Sequence, residues 1–211
     1  FKILTFYLNM LDSLVIKKFT NYLELIRFNK PIGFLLLMWP CWFSLSLLEL
    51  TITNLLYWLT LFFLGSFLMR SAGCIINDIV DRDIDKLVKR TQFRPLASKE
   101  INLLEAIVLL FFLLLLALIV LLQFNISSII CGLLSMPLVI LYPFMKRITY
   151  WPQIFLGLTF SWGILITSIQ FNDYISFQFF LLYFGCVIWT LGYDTIYAYQ
   201  DKEDDIKQKI K

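Results

Sequence analysis

The run LLYWLTLFFLGSFLMRSAGCII, residues 55–76, passes without a break into NDIVDRDID, residues 77–85. The first stretch carries one charge, Arg70, and matches the ~20 residues a helix needs to cross a bilayer core. The second packs four aspartates and an asparagine into nine residues. If the helix continues past the hydrocarbon edge, its ~100° turn per residue gathers Asn77, Asp78, Asp81 and Asp85 into one arc and turns Asp83 away. Three carboxylates on one stripe repel one another unless they take up protons or share a cation.

The rest of the chain sets that stripe in a membrane protein. Of 211 residues, 60% are hydrophobic and 18% aromatic, where a soluble domain averages about 45–50% apolar; mean hydropathy is +0.79. The apolar residues form long blocks rather than the short alternating segments of a β-barrel. The expected fold is all-α, a polytopic membrane helix bundle with six transmembrane helices, at about 32–50, 55–76, 101–122, 126–145, 152–171 and 175–199. Residues 1–26 read as an N-terminal interfacial segment preceding a single domain. There is no histidine, which excludes bis-histidine haem and removes the commonest general base. Cys41, Cys74, Cys131 and Cys186 are scattered in apolar runs and read as packing residues.

With six crossings, all eighteen Lys and Arg residues fall on one side. They lie before the first span, around 70–99, at Lys146-Arg147 and after the sixth span. The positive-inside rule then expects both termini in the cytoplasm or an equivalent matrix compartment.

A second acidic stretch, DTIYAYQDKEDD at 194–205, follows the sixth apolar block. Asp194, Tyr197, Asp201, Asp204 and Asp205 share an arc of roughly 100°, and Tyr197, Asp201 and Asp205 repeat the four-residue spacing of Asn77, Asp81 and Asp85. Each stretch alone could be a solvated helix end. Two matched stretches on one side point instead to a shared cation. All-oxygen donors suit a hard ion, and Mg²⁺ prefers a few carboxylates supplemented by water and phosphate oxygens. Arg90 and Arg94 lie just beyond the first acidic stretch and Lys146-Arg147 end the fourth apolar block, and arginine grips phosphate through paired hydrogen bonds. A diphosphate recognised within a membrane implies a lipid tail.

NDIVDRDID resembles the NDxxDxxxD motif of the UbiA superfamily of intramembrane prenyltransferases, and YDTIYAYQDKEDD resembles its second aspartate-rich motif. RFNKPIGFLLLMWP, KRTQFRPLAS and LYPFMKRITYWPQIFLGLTFSWG resemble the ubiquinone-pathway branch. The resemblance runs from about residue 20 to 205. It implies an inner-membrane enzyme, bacterial or mitochondrial, that transfers a polyprenyl group from polyprenyl diphosphate to 4-hydroxybenzoate, at the ring carbon ortho to the phenol. Surrounding lipid is the other expected partner, and nothing points to nucleic acid. The resemblance assigns Mg²⁺ to Asn77, Asp78, Asp81, Asp85, Asp201, Asp204 and Asp205. Asp81, Asp85, Asp201 and Asp205 carry the catalytic metal chemistry, and Asp194 and Tyr197 support substrate. Arg94 would meet diphosphate, and Arg27 and Arg147 would meet diphosphate or the acceptor's carboxylate. Superfamily members have nine membrane helices, so the chain is expected to be partial. An inactive truncated remnant and an ion-conducting membrane protein are the competing readings.

Overall fold

The computed structural model describes the backbone of residues 15–207, with side chains at all of these except 146–147 and 198–207. Every regular element among the described residues is helical. A short helix α1 spans 15–25. It is followed by α2 (Ile32–Leu45), α3 (Ile52–Asp85), α4 (Leu103–Leu121), α5 (Ile126–Leu134), α6 (Met136–Ile148), α7 (Pro152–Ser161), α8 (Gly163–Asn172) and α9 (Phe177–Lys207).

Among the described residues, five helical spans are long and apolar enough to cross a membrane. Two of them are broken pairs, α5–α6 and α7–α8. Pro137 explains the first break: it has no N–H to give Leu133, and the chain opens at Ser135. The second falls at Trp162, whose indole Nε1–H donates instead to the Cys131 carbonyl at 2.9 Å. The span expected at 32–50 is corrected by the structure: α2 has only 14 residues and ends in a turn at Ser46. The expected count of six is therefore five full-length spans and one short apolar helix.

The second expected span is also corrected, in length. The helix α3 is continuous for 34 residues, ~51 Å at 1.5 Å per residue against a ~30 Å hydrocarbon core. Thr51 caps its start by accepting the Asn54 N–H. The acidic stretch is its last two turns, and no proline or glycine pair stops the helix before them. Asp83 does point outward, pairing with Lys86 at 2.7 Å.

Helix α3 is the central element, packed against α2, α4 and α6, while α9 packs on α7 and α2 on α8. Helix α4 opens with a capping box, the Glu105 N–H donating to Asn102 Oδ1 at 2.8 Å and the Asn102 N–H to Glu105 Oε2 at 3.1 Å. Only Ala106, Leu113 and Ala117 of its side chains are buried, and large apolar ones such as Leu104, Val108, Phe111 and Leu115 are exposed, as suits a lipid-facing wall. At the charged end, α1 is tied down rather than loose: Leu25 is fully buried beside Ile75, Leu96 and Ile101. Lys17 pairs with Glu100 at 2.9 Å, and Lys18 with Glu105. The four cysteines are buried and free, as their apolar settings led one to expect.

Candidate functional site

A cavity of about 540 Å³ opens among α2, α3, α4 and the two broken pairs. Its lining follows α3 from Leu61 to Asp78, ~26 Å of helix. One end is polar, with Arg27, Asn77, Asp78 and Arg94; the other is apolar, with Phe62, Leu121 and Phe124 among its walls. Arg70 and Tyr142 stand between.

At the polar end, three segments bring four charges together. Asp78 on α3 is 1% exposed. Arg27, from the turn after α1, donates through Nη2 to both Asp78 oxygens, at 2.7 and 2.8 Å. Arg94, from the loop after α3, donates through Nη1 to Asp78 Oδ1 at 3.1 Å and to Asp85 Oδ2 at 2.7 Å. The loop reaches back because Leu96 and Ala97 are buried under it and because the Thr91 hydroxyl donates to the Asp85 carbonyl at 3.1 Å. Arg27 turns inward at a positive φ of 58°, a left-handed conformation that side chains other than glycine's rarely adopt. Its Nη1 donates to the Glu24 carbonyl at 3.0 Å. Such backbone strain persists where surrounding contacts over-determine it.

Next to Asp78 on α3, the Asn77 carboxamide has its Oδ1 buried with no hydrogen-bond partner. Arg70 likewise has a buried Nε with no partner, and its guanidinium lies 5.5 Å from the centroid of the Phe160 ring. The Tyr142 hydroxyl lies within electrostatic reach of Asp194, Arg70, Tyr193 and Asp81.

The expected site residues divide accordingly. Asn77, Asp78, Arg27 and Arg94 line the cavity, and Asp85 is buried behind Arg94. Asp81 and Asp194 are half-buried, each engaged with partners of its own. Tyr197 is 53% exposed and does not line the cavity. The side chains of Arg147, Asp201, Asp204 and Asp205 lie outside the described residues. Arg70 and Tyr142 are functional candidates that the sequence reasoning passed over. An arginine amid an apolar run was the available signal, because an intramembrane charge marks a function by default.

Among the described residues no three Asp, Glu, Cys or His side chains cluster as a metal site. The donor chemistry at the polar end nonetheless fits a hard cation: the orphaned Asn77 Oδ1 is a neutral oxygen ligand in search of a partner, one turn from Asp81.

The family model described as UbiA prenyltransferase family matches residues 37–211. The chain is 50% identical over 192 residues to a mitochondrial 4-hydroxybenzoate polyprenyltransferase of Caenorhabditis elegans, covering 90% of this chain and 54% of that protein. The human protein of that name matches at 50% over 192 residues, 90% of this chain and 52% of it. A 4-hydroxybenzoate octaprenyltransferase of Blochmanniella pennsylvanica matches at 45% over 196 residues, 93% of this chain and 67% of it. The chain spans about half the length of the curated mitochondrial relatives it matches. Among solved structures, a UbiA homologue of Aeropyrum pernix K1 in its apo form superposes with a TM-score of 0.68 at 23% identity, covering 84% of this chain and 66% of that one. A digeranylgeranylglyceryl phosphate synthase superposes at 0.67 with 26% identity, covering 92% and 67%. The first of these likenesses bears on the fold alone.

Proposed function

The chain belongs to the UbiA prenyltransferase family, and from that membership we propose that it serves prenyl transfer from polyprenyl diphosphate to 4-hydroxybenzoate, in ubiquinone biosynthesis. The observation that carries this reading is the cavity's polarity. An apolar chamber lined by α3 is closed at one end by two guanidinium groups and a buried carboxamide. That shape suits a ligand with an anionic head and a long apolar tail.

The residues would share the work as follows. Arg27 and Arg94 present their remaining N–H groups to the diphosphate, where charge-assisted hydrogen bonds strengthen as negative charge builds on the leaving oxygen. Arg70 meets the acceptor's carboxylate: its Nε is buried without a partner, and it lines the cavity away from the end that holds Arg27 and Arg94. Apolar walls exclude water from the allylic cation. The C–O bond to diphosphate breaks, and the ring carbon ortho to the phenol forms the new C–C bond. The displaced ring proton passes to the released diphosphate. Asn77 and Asp81, with Asp201, Asp204 and Asp205, would hold Mg²⁺, which when bound neutralises charge on the leaving group, while Asp85 stays paired with Arg94. The one-sided distribution of basic residues supports a cavity mouth on the cytoplasmic or matrix face.

The test uses the purified chain in lipid nanodiscs with geranyl diphosphate, 4-hydroxybenzoate and MgCl₂. Mass spectrometry should detect a 3-geranylated acid. Absence of product together with absence of saturable pyrophosphate binding removes the reading.

A further inference from the structure

We propose that Asp78 is a positioning residue that locks Arg27 and Arg94 in place for a diphosphate, and that it takes no part in metal binding. The inference deepens the prenyl diphosphate reading and rests on it. It also divides the acidic stripe: equivalent by sequence, its members do different work.

The geometry makes the case. Both Asp78 oxygens are already occupied by guanidinium donors, three hydrogen bonds between 2.7 and 3.1 Å. The carboxylate is 1% exposed, deeper than Arg27 at 20% and Arg94 at 24%. Asp78 lines the same cavity as the two arginines, but both of its oxygens already accept from a guanidinium, so a ligand there meets the arginines as the more accessible charges. The neighbouring residue differs: Asn77 has a buried Oδ1 with no hydrogen-bond partner. Adjacent helix positions differ by ~100°, so the two side chains meet different surroundings, one held by arginines and the other without a partner.

The charge arrangement explains why an acid is needed there. Arg27 and Arg94 come from segments that share no helix, one before α2 and one after α3. Brought side by side, two guanidinium groups repel. Asp78 accepts from both and Asp85 from Arg94, so two positive and two negative charges balance within the protein. A buried carboxylate held in this way is strongly costly to remove, and it fixes the direction of each guanidinium fork.

The experiment measures two bindings by calorimetry on the chain in nanodiscs: inorganic pyrophosphate, and Mn²⁺ as a stand-in for Mg²⁺. In Asp78→Asn, pyrophosphate should weaken about tenfold, the loss of one well-aligned charge-assisted hydrogen bond. Mn²⁺ affinity should stay within about twofold, while Asp81→Asn, the control, loses it. The sign is diagnostic. Were Asp78 a mere counter-charge, neutralising it would leave the site more positive and tighten pyrophosphate. Unchanged or tighter pyrophosphate in Asp78→Asn, or Mn²⁺ loss matching Asp81→Asn, overturns the inference while the site reading stands. If the wild-type chain binds neither probe, the site reading falls and this inference with it. Should Asp78→Asn fail to fold, Asp78→Glu keeps the charge but shifts it by one methylene, and wild-type pyrophosphate affinity in that variant overturns the inference.

Discussion

Gly33 on α2 lies directly against the guanidinium of Arg70 on α3: a β-carbon there would stand 2.7 Å from Nε and 3.1 Å from Nη2. The absence of a side chain on α2 is what lets a cation sit at this depth. Gly33→Ala should therefore displace Arg70 without touching the cavity's polar end. The expected outcome is a KM for 4-hydroxybenzoate raised about tenfold, as for a lost charge-assisted contact, with the KM for prenyl diphosphate held. Arg70→Gln should do the same more severely. Equal rises in both KM values would show that Arg70 does not discriminate the acceptor.

Chelation and acid removal test the cation. EDTA should abolish transfer and MgCl₂ restore it. Asp81→Ala and Asp201→Ala, in the protein inserted normally in membranes, should each lower kcat by on the order of 10²–10³, the scale of one lost transition-state charge contact. Near-normal turnover in either variant takes that residue out of the metal set.

The apolar half of the cavity makes a separate prediction. A β-carbon on Gly65 would meet only Val120 Cγ1, at an ordinary 3.7 Å, so Gly65→Ala should be silent. Gly65→Leu would project into the chamber. It should lower kcat/KM for a long polyprenyl diphosphate more than for geranyl diphosphate. Steady-state kinetics with the two donors decides the point, and an equal loss for both would mean the tail runs elsewhere.

The sequence showed some of this and hid the rest for physical reasons. The acidic stripe was legible because helical periodicity is local: Asn77, Asp78, Asp81 and Asp85 needed only a helix that ran on, and Asp83 faces outward to Lys86 as the wheel requires. The fold class was legible because an apolar block announces its own environment. The Arg27–Asp78 pair was not, since 51 positions separate the two and only the packing of Leu25 beneath α1 brings them together. Arg70 was counted with the topological charges, although its place amid apolar residues already set it apart. The break at Ser135 had a visible cause in Pro137. The break at Trp162 had a weaker one in Gly163, and nothing local told that α2 would lie close against that glycine.

That close approach gives the last prediction. A β-carbon on Gly163, at the start of α8, would overlap the Sγ of Cys41 on α2. Cys41 is itself 4% exposed and packed in the cluster with Leu45, Phe62 and Phe124, so its thiol has to be displaced from that packing to make way. Gly163→Ala should overpack this crossing and destabilise the protein by about 1–3 kcal/mol, read as a lower thermal midpoint in detergent. Cys41→Ala alone leaves a small void and costs less. The double variant should recover most of the loss, because the alanine methyl at 163 then fills the space the thiol vacated. Residues in contact couple in this way, whereas distant ones add. Purely additive midpoints would mean that the α2–α8 distance is set by other contacts, such as the buried hydrogen bond from Ser44 to Thr167 at 2.8 Å.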